Sequence, residues 1–401
     1  MIDLDSRTAA RETVSILVGP NGSGKSSFLR DLAVRRGRNI LIVCNTPHDR
    51  FTGLSGLRRM SVGNPRSSPT VVVKNAVAQS LKDSGSTFYQ ISSILEYCGY
   101  RPRFGFRINR GKRYGMPAGQ GGGNWPDPYQ DSDVESSVLS IASDAVEQAD
   151  LELAATFMRR HDPSEYIWID ATEKAFDFSR AREFAPILKL ESKLRASKVV
   201  RSIQVFLQRD NDGDVIEIQH ASSGQLALIS SLLFMITNAG EHPVIIIDEP
   251  ENSLHPKWQR EYVDKVLAAL SYRNPTIILA THAPLVVTGA LADSPDLVSV
   301  FEVRDGAPQR LPINLANTSP NSIEEILWRA FGVVTPANHF VSEQIVDEFS
   351  RFEKGEVPKE DVLALIRRLE RGSYDSRQRD FFAAARALLD KVDANQAGNL
   401  S

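Results

Sequence analysis

The chain has 401 residues, 42% of them hydrophobic and 24% charged, with a formal net charge of −3. That balance permits a sizeable core and excludes a low-complexity polymer, and it leaves nucleic-acid binding only to local basic patches. Two isolated cysteines, Cys44 and Cys98, a polar N-terminus and no apolar run longer than Leu226 to Ile236 lead us to expect a cytoplasmic protein without disulfide, zinc site, signal peptide or membrane span.

Thr13 to Val18 reads as an apolar strand and runs straight into Gly19-Pro20-Asn21-Gly22-Ser23-Gly24-Lys25-Ser26-Ser27. This segment fits the phosphate-loop pattern G-x-x-x-x-G-K-S/T at every fixed position. Its glycines let backbone N–H groups turn inward around phosphate oxygens, at the positive end of the helix that Phe28, Leu29 and Leu32 announce. Lys25 is expected to reach the β- and γ-phosphates of ATP, and the Ser26 hydroxyl to complete the shell of a Mg2+ ion.

Asn39 to Cys44 reads as a second core strand; His48-Asp49-Arg50 beyond it reads as a surface loop, with the nucleotide site or a partner surface as alternatives. Pro69 to Gly99 reads as mostly helical, and Arg103 to Ile108 alternates basic and apolar residues as a strand does. The wider stretch Arg101 to Tyr114 mixes Arg101, Arg103, Arg107, Arg110, Lys112 and Arg113 with Phe104, Phe106 and Tyr114. It fits a DNA-binding patch that stacks bases, or a strand with buried rings and a solvated basic face. Gly111 to Asp133 is a Gly/Pro-rich loop, Ser136 to Arg160 is helical by pattern, and Ser202 to Gln208 with Asp214 to Gln219 form a hairpin. The spacing Asp210, Asp212, Asp214 resembles a calcium loop, but the glycine and the distal glutamate are misplaced for one, so the segment reads as a hairpin turn.

Ser222-Ser223-Gly224-Gln225 opens a helix running to Asn238, with Ser222 as N-cap. Val244 to Ile247 is a β-branched strand ending in Asp248-Glu249, a Walker B arrangement in which Asp248 holds the metal and Glu249 polarises the attacking water. Thr276 to Ala280 is a similar strand ending in Thr281-His282. Beyond His282 we expect few strands and mostly helix: Ser322 to Phe331 behind a capping box, then Val341 to Phe352, Pro358 to Arg371 and Ser376 to Val392.

In this order the motifs resemble those of ABC-type ATPases, where Ala221 to Gln225 corresponds to the signature segment and His282 to the switch histidine. The resemblance implies a homodimer in which Ser222, Ser223, Gly224 and Gln225 of one copy seal ATP on the other copy's phosphate loop, with Glu249 and His282 catalytic. It also implies a glutamine loop, for which Gln79 and Gln90 are candidates by position alone. Asp248 to Pro256 (DEPENSLHP) and Thr281 to Pro284 (THAP) are similar to segments of the overcoming-lysogenisation-defect (OLD) nucleases and related anti-phage ATPases, although no clustered D-x-D acids follow His282. The implied architecture is an α/β head of the ABC-type P-loop class, with a central mostly parallel sheet and an antiparallel lobe that is either reduced or supplied by later strands. The head would span 1–320 with an inserted middle lobe at about 60–200, and 321–401 would form a C-terminal helical subdomain. The implied function is an ATPase of an anti-phage system acting on a separately encoded effector nuclease; the alternative is a DNA-repair or chromosome-maintenance ATPase head.

Overall fold

Apolar, β-branched pentapeptides form the centre of the structure, a computed structural model that describes residues 13–36, 39–81, 88–110, 138, 145–170, 178–311, 331, 339–371 and 376–399. Strand β1 (Val14–Val18) is followed by α1 (Lys25–Arg36), β2 (Ile40–Cys44) and β3 (Arg58–Ser61). Strands β8 (Val244–Asp248), β9 (Thr276–Ala280), β10 (Val298–Arg304) and β11 (Ala307–Arg310) complete a seven-stranded sheet of order β11-β10-β1-β9-β8-β2-β3. All pairings are parallel except β10 with β11.

Continuous apolar strands suit this sheet because both faces are covered. Leu17, Ile42, Ile246 and Ile278 point to the side holding Leu29 and Ala33 of α1. Their neighbours Ile16, Val43, Ile245, Ile247 and Ile277 point to the larger core on the other side. That core is built with α7 (Ser223–Asn238), α8 (Pro256–Ala269) and α9 (Pro284–Asp293). The register sets Cys44 opposite Asp248 and Asp248 opposite Ala280, and pairs Leu17 with Ala280. The segments leaving β1, β2, β8 and β9 therefore emerge side by side at one edge, where α/β sheets bind ligands.

A second, wholly antiparallel sheet has the order β5-β4-β6-β7, from β4 (Tyr100–Arg110), β5 (Ile167–Asp170), β6 (Val200–Arg209) and β7 (Val215–Glu217). It lies later in the chain than the phosphate loop, so of the two alternatives, a reduced antiparallel lobe or one supplied by later strands, the chain has the strands for the second. Its inner face packs with α2 (Pro69–Ser80), α3 (Phe88–Tyr97), α4 (Ala145–Arg160), α5 (Phe178–Lys189) and α6 (Glu191–Ala196). Phe106 meets Phe184 at 5.2 Å between ring centroids, and Phe184 meets Phe157 at 5.4 Å. The base-stacking role considered for Phe104 and Phe106 is thereby corrected: they are 1% and 0% exposed, because strand alternation turns them into the core.

The β6–β7 hairpin forms as expected, and Asp212 accepts the Asp214 N–H at 2.9 Å inside the turn. Three C-terminal helices, α10 (His339–Glu353), α11 (Lys359–Arg371) and α12 (Ser376–Asn399), share a core of their own around Phe349, Ile366, Phe382 and Leu389. The expectation of few strands beyond His282 needs amending, since β10 and β11 lie there and β10 flanks β1 directly. Residues 111–133 and 322–330, and Lys112, Arg113 and Tyr114 within them, lie outside the described residues. Among the described residues no helix is long and apolar enough to cross a membrane.

Candidate functional site

The turn between β1 and α1 is shaped by glycines that must be glycines. Gly19, Gly22 and Gly24 have φ of 144°, 82° and 96°, a region that residues with a Cβ rarely adopt. A Cβ on Gly24 would also lie 2.8 Å from the Cα of Gly306, in the turn joining β10 to β11. That turn braces the loop from beneath, and Gly306 N–H donates to the Ser23 carbonyl at 2.9 Å.

A cavity of about 450 Å³ opens above the loop, walled by Asn21, Gly22, Gly24, Lys25, Ser26 and Ser27. Glu249 and His282 form its far wall, and Thr46, His48 and Arg50 close the side. Gly19, Pro20 and Ser23 shape the loop without lining the cavity, and neither Gln79 nor Gln90 reaches it. His48 and Arg50 are exposed, as a surface loop requires, and they also stand on the cavity wall. Asp49 fixes the segment by accepting the Phe51 N–H at 2.8 Å and pairing with Arg59 at 3.4 Å.

Lys25 is 5% exposed, and its Nζ donates to the carbonyls of Gly19 at 2.8 Å and Pro20 at 3.1 Å. Burial lowers its pKa, opposed by the carboxylates of Glu249, Asp248 and Glu251. His282 stands between Lys25 and Glu249: Nδ1 is 3.4 Å from Lys25 Nζ, and Nε2 is 3.4 Å from Glu249 Oε1. Burial and then the Lys25 charge lower its pKa, with Glu249 opposing. A neutral ring accepting at Nδ1 and donating from Nε2 satisfies both neighbours.

Asp248 is fully buried at the end of β8; its Oδ1 accepts from Ser26 Oγ at 3.1 Å, and its Oδ2 has no partner. Burial pushes its pKa up to about 6. A buried carboxylate oxygen left unpaired beside a serine hydroxyl is costly unless a cation meets it, and an all-oxygen donor pair suits Mg2+. The residues present fit that ion.

Glu249 adopts φ of 53°, unusual for a residue with a side chain, and its N–H is tied to the Ala280 carbonyl at 2.9 Å. This bend at the strand end accompanies its carboxylate's place on the cavity wall. Asn252 holds Glu249 from the other side, donating from Nδ2 to Glu249 Oε2 at 3.1 Å and to the Asn45 carbonyl at 3.2 Å. Glu251 turns inward instead and accepts the backbone N–H of His282, and burial raises its pKa. His255, further along, caps α8 by accepting the Lys257 N–H at 3.2 Å, a structural task.

Ser222 and Ser223 are exposed at the tip of α7. Ser222 and Gln225 close a capping box: Ser222 Oγ accepts the Gln225 N–H, and Gln225 Oε1 accepts the Ser222 N–H, both at 3.2 Å. Gln225 also accepts from Tyr100 OH at 2.7 Å and donates to the Cys98 carbonyl at 2.9 Å, so it anchors the tip rather than facing outward. Gly224 is buried, and a Cβ there would lie 2.5 Å from the Ser253 carbonyl oxygen. None of Ser222 to Gln225 lines the cavity over the phosphate loop.

Over residues 117–288 the chain matches the family described as "AAA domain, putative AbiEii toxin, Type IV TA system", a span that holds Asp248, Glu249 and His282 and begins after the phosphate loop. It is similar to the "Retron Vc95 probable ATPase" of Vibrio cholerae serotype O1 biovar El Tor, at 25% identity over 199 residues, 45% of this chain and 33% of the relative. It is also similar to "Protein ea59" of Escherichia phage lambda, at 26% identity over 143 residues, 34% of this chain and 27% of the relative. The matches span 33% and 27% of the length of these relatives. Among solved structures, an Smc head bound to the C-winged helix domain of ScpA matches at 15% identity and a TM-score of 0.22, over 46% of this chain and 54% of that one. The family description names an AAA domain and the first relative is named a probable ATPase, both in keeping with the phosphate loop of this chain.

Proposed function

We propose that the chain hydrolyses ATP with Mg2+ as an ABC-type ATPase, in two composite sites formed between two copies. The observation that carries this reading is a separation within one chain. Phosphate loop, Glu249 and His282 line one cavity, with the buried Asp248 bonded to Ser26 of its wall, whereas the exposed serines of the α7 tip stand outside it. A helix N-terminus bearing exposed serines is an anion site that its own cavity does not use.

In this reading the triphosphate lies along the backbone amides from Gly22 to Ser26, and Lys25 exchanges the Gly19 and Pro20 carbonyls for phosphate oxygens. Ser26 Oγ and the unpaired Asp248 Oδ2 would hold Mg2+, which supplies positive charge beside the phosphate oxygens. Glu249, kept in place by Asn252 and His282, orients a water and accepts its proton as it attacks the γ-phosphorus. Ser222 and Ser223 of the second copy face the γ-phosphate, so closure is favourable while that group bridges the two chains.

Complementation tests the composite site. Lys25→Ala and Ser222→Arg chains should each be inactive alone, and mixing them should restore turnover, because one site of the mixed dimer keeps an intact loop and an intact tip. A site completed within one chain would gain nothing from mixing.

The biological reading is a regulator ATPase of an anti-phage system that controls a separate effector nuclease. The relative named as a retron probable ATPase and the OLD-like DEPENSLHP segment support it. Affinity purification from the native host with mass spectrometry tests it: a co-purifying nuclease is the expected result, and duplex DNA without a protein partner would favour a DNA-maintenance role instead.

A further inference from the structure

The antiparallel sheet has one face in the core and one face that carries a different chemistry. Along β4, Arg103, Gly105, Arg107 and Asn109 alternate with the buried Phe104, Phe106 and Ile108 and so share the outer face. The register brings Ser202, Gln204 and Phe206 of β6 and Trp168 of β5 to that same face. Trp168 lies against the strand at Gly105, where a Cβ would come within 2.9 Å of its ring. Tyr166 meets Phe206 edge-on at 4.9 Å, so the three rings form a floor.

Arginines lie over this floor. The Arg103 guanidinium is 4.6 Å from the Trp168 ring centroid, and that of Arg107 is 5.3 Å from Phe206 and 5.8 Å from Tyr166. Glutamines hold both: Arg103 donates to Gln208 Oε1, and Arg107 donates to Gln204 Oε1 at 2.9 Å. Neither is paired with a carboxylate among the described residues, which leaves their charge available. Among the described residues the acids on this face are Asp170 and Glu217, and Glu217 accepts from Gln204 at 3.1 Å.

At one end of the face a cavity of about 610 Å³ is walled by Arg107, Arg110 and Arg201 with Asn109, Ser202 and Gln204, and among the described residues no acid lines it. Arg110 is fixed there by the carbonyls of Met158 and His161 at the end of α4. Arg201 is exposed.

We propose that this face binds a single nucleic-acid strand, with phosphodiester groups at the arginine cavity and along Arg107 and Arg103, and bases against the accessible rings of Tyr166 and Trp168, Phe206 being buried beneath them. Arg103 and Arg107 are four residues apart on a strand, hence about 13 Å, too far to share one phosphate and suited to a repeating polyanion. Arginines already held over rings by glutamines lose little freedom on binding, and rings add affinity only where bases are unstacked, which favours a single strand over a duplex.

The test is fluorescence anisotropy of the full chain with labelled oligo-dT, across a salt series, beside the oligo-dA·oligo-dT duplex and inorganic phosphate as competitor. The expected result is salt-dependent binding of oligo-dT, tighter than of the duplex. Arg107→Glu with Arg201→Glu should weaken it at least about tenfold and lower the salt slope by about 1.4, two phosphate contacts at roughly 0.7 each. Arg201→Glu alone, at an exposed side chain, should weaken it several-fold, with ATP turnover and the melting temperature of both variants at the wild-type level as the check of folding. No binding of oligo-dT, equal or tighter binding of duplex, undiminished binding by the folded variants, or displacement by millimolar phosphate would each overturn the proposal.

Discussion

Asp248 offers a prediction whose size follows from its surroundings. Its carboxyl is fully buried, and its pKa stands at about 6 against an ordinary 3.8. A folded-state pKa raised by about two units means that the folded chain holds this proton more tightly than the unfolded one. Asp248 therefore contributes most stability below about pH 4, loses it as pH rises towards 6, and contributes no further change above. At 1.36 kcal/mol per unit the span is about 3 kcal/mol. Glu251, with its pKa also raised by burial, acts in the same direction; His282, with its pKa lowered, acts oppositely and costs stability as pH falls below its ordinary value of 6.5. Comparing wild type with Asp248→Asn cancels both neighbours. Urea denaturation without nucleotide between pH 4 and 7.5 should show the variant gaining on the wild type by up to about 3 kcal/mol as pH rises through the window, on top of a constant cost of the substitution. Parallel pH profiles, or a wild type that gains on the variant with rising pH, would refute the burial argument. The same ionisation governs the cation: affinity for Mg2+-ATP should fall about tenfold per pH unit below 6 in the wild type.

Replacing Lys25 with Ala removes the charge expected on the phosphates and should weaken ATP binding roughly 10–150-fold, measured by a fluorescent nucleotide analogue; wild-type affinity would contradict the phosphate-loop assignment. Gly224→Ala places a methyl 2.5 Å from the Ser253 carbonyl and should cost about 1–3 kcal/mol, seen as a lower urea midpoint. An unchanged midpoint would mean that the α7 tip is not braced by the Ser253 segment. Asn252→Ala should lower kcat about tenfold with KM unchanged, since Asn252 touches Glu249 and not the cavity; a shift confined to KM would place Asn252 in binding instead.

Contiguous signals carried most of the site. The loop from Gly19 to Ser27, the pair Asp248-Glu249 and His282 are each written at a strand end, so parallel strands bring them together without further information. What the sequence hid depends on the path of the chain in space. His48 and Arg50 reach the cavity because Asp49 folds their segment back on itself and onto Arg59. Glu251 and Asn252 sit in the same short motif, yet one turns into the core beneath His282 and the other faces Glu249, a distinction only the left-handed turn at Glu249 creates. Strand β10 was within reach: four of the six residues from Val298 to Val303 are apolar, and Asp305-Gly306 is a hairpin turn signal. The arginine–aromatic stretch was half legible, because alternation removes Phe104 and Phe106 to the core while the rings that do meet the arginines, Trp168, Tyr166 and Phe206, come from other strands.

Light scattering of a Glu249→Gln chain, with and without Mg2+-ATP, bears most directly on the composite site. Loss of the base should leave ATP bound and uncleaved, and the mass should double on adding ATP, with a further Ser222→Arg substitution returning it to that of one chain. A mass that stays at one chain under saturating nucleotide, or a dimer indifferent to both ATP and Ser222, would contradict the account.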